Sequence, residues 1–169
     1  MSARPASVDV RVAECRIGRG VFALRAFRLG EEILAITGPR VDIRTLSGPA
    51  WRALMDRGEP VQVGPYEYIE PGPPGRFLSH SCEPNAGLRP DLVVVALQAI
   101  PAGGQVEFDY STCMDEDYWT MRCLCGTASC RGVIEDFRCL PGALQETYLA
   151  AGVVQAFIAG QYAPVPVNG

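Results

Sequence analysis

Three cysteines in the run C-L-C-G-T-A-S-C-R-G, residues 123–132, are spaced as metal ligands commonly are. The thiolates of Cys123, Cys125 and Cys130 can supply three corners of a tetrahedral zinc site, and Gly126 permits the tight turn between them. A fourth ligand must come from elsewhere in the chain. A second stretch, R-F-L-S-H-S-C-E-P-N from Arg76 to Asn85, holds the only histidine, His80. It also holds Cys82, which has no cysteine near it in sequence, and Pro84, which halts regular structure. A third stretch, V-E-F-D-Y from Val106 to Tyr110, sets Phe108 and Tyr110 at alternate positions. Alternation on a strand sends both rings to one face, where the ordinary role is core. Asp115, Glu116 and Asp117 follow, with Tyr118 and Trp119 beside them. This run is either a solvated acidic loop or the lined mouth of a channel for a cationic side chain. Cys15, Cys113 and Cys139 are left over, and core thiols are the default for each.

The elements that must position these residues are short. Eighteen Gly and fourteen Pro among 169 residues predict many turns and brief strands rather than long helices, a mainly β chain. The length suits one domain with a real core. Val8–Val12 alternates apolar and polar residues as a half-buried strand does; Gly18-Arg19-Gly20 reads as a turn and Val21–Ala26 as the returning strand. Leu29–Ile36 is a turn and third strand, ended by Gly38-Pro39. Residues Pro49 to Arg57 carry a helical pattern with Trp51, Leu54 and Met55 on one face and Gly58 as a stop. Strands resume at Val61–Val63 and Tyr66–Ile69, and Gly72-Pro73-Pro74-Gly75 makes a stiff turn into Arg76. Leu92–Leu97 is a continuous apolar run, as expected of a strand buried on both faces. Pro141 to Gly152 predicts a short helix with Leu144, Tyr148 and Leu149 on one face, which Val153–Ile158 continues past the Gly152 break; residues 163–169 form a frayed tail.

The H-S-C-E-P-N run, the F-D-Y run, the three-cysteine cluster and an upstream G-R-G-V-F-A (Gly18 to Ala23) occur in the order and spacing of the SET-domain protein lysine methyltransferases. The chain resembles a small, bacterial-type member with a zinc-binding post-SET segment. That resemblance implies several small sheets around a pseudoknot, few helices, and a zinc-stapled C-terminal segment. It divides the chain into a SET domain (8–112), a post-SET segment (113–137) and a helical extension with tail (138–169), the tail packing against the zinc segment. It supplies Cys82 as the fourth zinc ligand, making the metal structural. It places Gly18, Arg19, Gly20, Tyr68, Arg76, Phe77, Ser79, His80, Tyr110 and Leu124 around S-adenosylmethionine. Tyr110 and Phe108 become the catalytic pair, with Tyr110 between cofactor and substrate. His80 is read as a structural hydrogen-bonding group, and Asn85 as satisfying backbone groups of the threaded segment. The insert 39–60 corresponds to the part that tunes specificity. Two departures stand out: Ser79 replaces the family's usual Asn, and Gly104-Gln105 stands where Glu is usual. One short hydroxyl cannot reach as far as an amide or donate twice.

The activity so implied is S-adenosylmethionine-dependent N-methylation of a lysine in a protein or peptide, with Phe108 rather than Tyr favouring more than one methyl. Two alternatives remain: a methyltransferase of the same fold acting on a small-molecule amine, and a zinc-stapled binding module without catalysis. No apolar run approaches the roughly 18 residues of a membrane span, residues 1–10 lack a signal-peptide core, and metal use of the thiols suits a reducing compartment. A cytoplasmic location is expected, or a nuclear one in a eukaryote, with no membrane partner. A net charge of −4 gives no field for nucleic acid. All fifteen basic residues are arginine.

Overall fold

A computed structural model describes residues 9–56, 60–117 and 119–162. Among the described residues, twelve short strands fall into four small sheets. Strands β1 (Val10–Cys15) and β2 (Gly18–Ala23) form an antiparallel hairpin, with Cys15 opposite Gly18. The hairpin therefore turns at Arg16-Ile17, and the glycines expected to make the turn lie inside β2. Gly18 keeps a positive φ of 104° there, which glycine adopts without strain. Strand β3 (Glu32–Ala35) belongs to a second sheet; β4 (Arg40–Asp42), β5 (Val61–Gln62) and β6 (Glu67–Ile69) make a third. Helix α1 (Gly48–Asp56) starts where Ser47 Oγ accepts from the Ala50 amide, and it buries Leu54 and Met55 as the pattern requires. The expected stop at Gly58, like Val8, Tyr118 and the tail 163–169, lies outside the described residues.

The organising sheet has the order β1-β2-β10-β7. Strand β10 (Gln105–Phe108) pairs antiparallel with β2 and parallel with β7 (Ser79–His80), so the F-D-Y and H-S-C runs lie side by side. Asn85 cements this pairing. Its Nδ2 donates to the Gln105 carbonyl at 2.7 Å and its Oδ1 accepts from the Glu107 amide at 3.0 Å, the backbone role its sequence position implied. Both groups would otherwise be unpaired where the two segments cross.

Strands β8 (Ala86–Leu88) and β9 (Val93–Ala96) complete the sheet begun by β3. All four residues of β9 are buried because Val94 and Ala96 face the main core while Val93 and Val95 face a second one. The second core is supplied by α2 (Gly142–Ala150) and α3 (Ala156–Ala159), through Tyr148, Val153, Val154 and Ile158. The C-terminal extension therefore packs on the outer face of the β3-β9-β8 sheet rather than on the cysteine segment. The helix does not run on through Val153 and Val154, since Gly152 ends α2 at a positive φ of 68° and Gln155 caps a new helix. A Cβ on Gly87 would come within 2.6 Å of Val153, so this close seat requires glycine. Strands β11 (Met121–Arg122) and β12 (Val133–Ile134) bracket the cysteine cluster.

Candidate active site

Tyr110 stands where two cavities meet. On one side is a narrow cavity of about 60 Å³ walled by Phe108, Leu78, Met55, Cys113 and Trp119, with Glu116 as the acidic residue of its lining. On the other is an open groove of about 310 Å³ walled by Ile17, Arg19, Phe77, Ser79, His80 and Leu124. Among the described residues, only Leu78 and Tyr110 line both. The hydroxyl of Tyr110 donates to the Leu78 carbonyl at 2.6 Å, which fixes the phenol at the junction. Burial pushes this phenol well above its usual range, so it stays protonated and serves as a donor. Strand β10 ends at Phe108, and Tyr110 opens a short 3-10 turn capped by Asp109, whose carboxylate accepts from the Ser111 amide at 3.1 Å. The two rings do not alternate along one strand, as the spacing suggested. The turn brings them together instead, centroids 5.0 Å apart.

The groove is roofed by contact between the β1–β2 hairpin tip and the cysteine segment, where the Arg16 guanidinium donates to the Leu124 carbonyl. Its floor carries Arg19 stacked 4.2 Å over the Phe77 ring. Ile17, Met121 and Leu124 expose 43%, 40% and 49% of their surface along its walls, enough apolar area to take a flat heteroaromatic ring. The buried Ser79 hydroxyl and the His80 region give it polar edges. Such a groove fits S-adenosylmethionine, whose adenine is apolar on its faces and whose amino-acid end is charged.

Cys82, Cys123, Cys125 and Cys130 converge with their sulfurs all within 4.8 Å of one another. Tetrahedral zinc at Zn–S distances of about 2.3 Å sets its sulfurs roughly 3.8 Å apart, and Cys82 and Cys123 already stand at 3.7 Å. Burial pushes the Cys82 thiol up, so it ionises there only with a cation beside it, and four sulfurs at this spacing are a donor set that fits zinc. The cluster is wired to Tyr110. His80 Nδ1 accepts from the Tyr110 amide at 3.2 Å, which leaves its proton on Nε2, 3.4 Å from Cys82 Sγ. Burial lowers the imidazole pKa to about 4, so His80 is neutral at pH 7 and acts as a bridge rather than a base. Arg131 makes a parallel link: its amide donates to Cys82 Sγ at 3.4 Å, and its guanidinium donates to buried Asp109 at 2.8 Å. Tyr148 of α2 donates to the other Asp109 oxygen at 3.1 Å.

Of the expected cofactor residues, Arg19, Phe77, Ser79, His80, Tyr110 and Leu124 line the groove. Gly18 and Gly20 lie in the strand at its edge. Arg76 is exposed, turned over the Phe77 ring at 5.5 Å, and is not a groove-lining residue. Tyr68 is on the opposite side: its hydroxyl bonds Glu116, its ring meets Trp51 at 5.6 Å, and it lines a separate cleft. Strand β6 faces α1, which carries Tyr68 away from the groove. The acidic run divides as well. Glu116 enters the cavity wall, while Asp115 and Asp117 pair with Arg138. Of the leftover thiols only Cys113 is buried; Cys15 ends an edge strand half-exposed, and Cys139 sits exposed in a 3-10 turn. Asp109 and Arg131 are functional residues that the motifs alone do not mark, and the contact of Gln105 with Ser79 is not written in either motif. Asp109 and Arg131 had a signal, since each is a charge embedded in a motif between residues bound for burial.

A fold of small sheets around paired H-S-C and F-D-Y segments, with a stapled cysteine cluster, defines a SET-type architecture. The SET domain profile matches residues 18–111, more than half of the sequence, and the chain belongs to that family. Among curated relatives, the "Histone-lysine N-methyltransferase, H3 lysine-9 specific dim-5" of Neurospora crassa is 34% identical over 98 residues, covering 46% of this chain and 29% of that protein. The human "Histone-lysine N-methyltransferase 2B" is 26% identical over 129 residues, covering 68% of this chain and 5% of the relative. A solved structure of KRYPTONITE with mCHH DNA, an H3(1-15) peptide and SAH superposes with a TM-score of 0.56 at 19% identity, over 74% of this chain and 29% of that one. The chain thus spans less than a third of the length of each of these proteins.

Proposed function

We propose that the chain is an S-adenosylmethionine-dependent lysine N-methyltransferase acting on a protein or peptide, and that it adds more than one methyl. The observation that carries this reading is the shared wall: Tyr110 and Leu78 separate a cofactor-sized groove from a narrow cavity that suits an extended alkyl amine. The SET membership and the printed activities of the curated relatives support it.

S-adenosylmethionine supplies a methyl on a positively charged sulfur, open to in-line attack. What the chain contributes is placement. Phe108, Met55, Leu78 and Trp119 hold the methylene stem of the lysine and keep water away. A free lysine amine has a pKa of about 10.4, and a dry apolar channel favours the neutral, nucleophilic form. Glu116 in the lining attracts the cationic amine before it is desolvated. The Tyr110 hydroxyl, anchored on Leu78, orients the amine at the opening into the groove. The departing proton leaves to water, since Tyr110 and Cys113 are both held protonated by burial. Zinc, held by Cys82, Cys123, Cys125 and Cys130, keeps the Leu124 wall of the groove in place. The 113–137 segment is then the post-SET element, with residues 138–162 an extension that buttresses the SET core.

The test pairs binding with turnover. Wild-type protein should bind S-adenosylhomocysteine by calorimetry and transfer label from S-adenosylmethionine to lysine-bearing peptides or proteins. Tyr110→Phe should lose turnover by at least ~100-fold, while its affinity for S-adenosylhomocysteine stays unchanged. Normal turnover in that variant would remove Tyr110 from its role. Label appearing only in small amines would overturn the protein-substrate reading.

A further inference from the structure

The two departures from the family's sequence pattern, Ser79 and Gln105, lie 26 residues apart and touch in the fold. Gln105 Nε2 donates to Ser79 Oγ at 3.1 Å. Because β10 lies between β2 and β7, the Gln105 side chain meets both neighbours. A Cβ on Gly20 would stand 2.7 Å from the same nitrogen, so the glycine on β2 makes the room that the amide fills. Asn85 grips the Gln105 carbonyl at 2.7 Å and fixes the strand from which the amide extends.

A serine hydroxyl accepts on its oxygen and donates one proton. Here the oxygen accepts from Gln105, so the proton is directed away from β10. Ser79 is only 7% exposed, it lines the groove, and among the described residues no group accepts that proton. A buried hydroxyl is left with an unpaired donor only where a ligand or water completes it.

We propose that Ser79 and Gln105 form one cofactor-recognition unit: Gln105 is the positioning residue that turns the Ser79 hydroxyl into a donor facing the groove, for an acceptor atom of the S-adenosylmethionine bound there. The inference rests on the reading of the groove as the cofactor site. It explains how a short hydroxyl serves at position 79: a second side chain sets the direction of its single proton.

Gln105→Glu tests the direction of the hydrogen bond. The change is isosteric and keeps the contact with Gly20, but a carboxylate cannot donate to Ser79. It accepts the hydroxyl proton instead and withdraws it from the groove. Calorimetric titration of the zinc-loaded protein with S-adenosylhomocysteine reads the result. Gln105→Glu and Ser79→Ala should each weaken binding about tenfold, the loss expected of one hydrogen bond. The double variant should be no weaker than Ser79→Ala alone. Ser79→Asn combined with Gln105→Glu should recover to within about threefold, because an Asn amide donates one N–H to the carboxylate and keeps a second for the groove. Zinc content and melting temperature should stay unchanged throughout, as a purely structural role for Gln105 would not allow. Binding within about twofold of wild type in Gln105→Glu, or losses that multiply in the double variant, would overturn the unit. No heat from the wild-type protein itself would overturn the cofactor reading, and the unit with it.

Discussion

Phe108 and Glu116 line the same cavity, and the proposed activity gives the first a role in volume and the second a role in charge. Phe108 is 3% exposed and stands 5.0 Å from the Tyr110 ring. It offers no hydrogen bond to a water beside the amine, so such a water is easily displaced by an incoming methyl. Phe108→Tyr should therefore shift products from di- and trimethyl lysine to monomethyl, with the first transfer largely intact. Mass spectrometry of an exhaustively methylated peptide reads the pattern; monomethyl product alone from the wild type would defeat the assignment. Glu116 carries a pH dependence. Burial raises its carboxyl pKa, with the Tyr68 hydrogen bond opposing. A raised folded-state pKa means the folded protein holds the proton more tightly than the unfolded chain does. Stability is then greatest below the ordinary value of 4.5 and declines as pH rises through the elevated folded value. Glu116→Gln keeps an acceptor for Tyr68 and removes the buried charge. Its melting temperature should exceed that of wild type at neutral pH, and the advantage should vanish near pH 4. The same variant should raise KM for a cationic substrate. Equal melting temperatures at all pH values would show that Glu116 carries no such linkage.

At the scale of elements, motifs were more legible than geometry. The hairpin, β9 and both longer helices followed their apolar periods, because a core-facing pattern admits one placement. The turn at Arg16-Ile17 was misplaced by two residues. Glycines signal a positive φ, and Gly18 has one, but a strand can hold it as readily as a turn. Tyr68 was assigned to the wrong side, since a strand's neighbours across a sheet are not written in its own residues. Gln105 shows in the sequence as a departure from the family pattern, but its contact does not, for the same reason: its partner Ser79 lies on another strand. The cysteine cluster was legible in full because ligand spacing is a local property, and only the fourth corner needed the family. It holds 121–134 against 79–85 and the Tyr110 turn, two segments that the β7–β10 pairing already joins. Cys82→Ser should release zinc and loosen both the His80–Cys82 and Arg131–Cys82 contacts. The expected result is less than the wild type's about one zinc per chain by elemental analysis, loss of S-adenosylhomocysteine binding through the freed Leu124 wall, and retention of the β3-β9-β8 sheet with α2. A variant that keeps its full metal and its affinity would remove Cys82 from the ligand set.

The whole molecule has a chemical property that no single element shows: it contains no lysine, and its fifteen basic residues are all arginine. An arginine guanidinium stays protonated and delocalised at any working pH, so it is a poor nucleophile for a channel that selects a neutral amine. The chain thus carries no side chain of the class it is proposed to modify. Charged pairs such as Arg89 with Glu32 and Asp91, or Arg138 with Asp115 and Asp136, are made with arginine throughout, whose planar fork suits carboxylates. A measurable consequence follows for labelling. When the zinc-loaded protein is incubated with radiolabelled S-adenosylmethionine and a cell extract, no label should enter side chains of the enzyme itself at any enzyme concentration. Peptides from its own digested band should show no added methyl on any side chain, while labelled lysines appear in the extract's proteins. Every protein band that is labelled only when the enzyme is added is then a substrate, without an automethylation background. Methyl groups found on the enzyme's own arginines would mean that the channel admits a guanidinium. The selection of a neutral alkyl amine by Phe108, Leu78 and Trp119 would then be wrong, whatever the products in the extract.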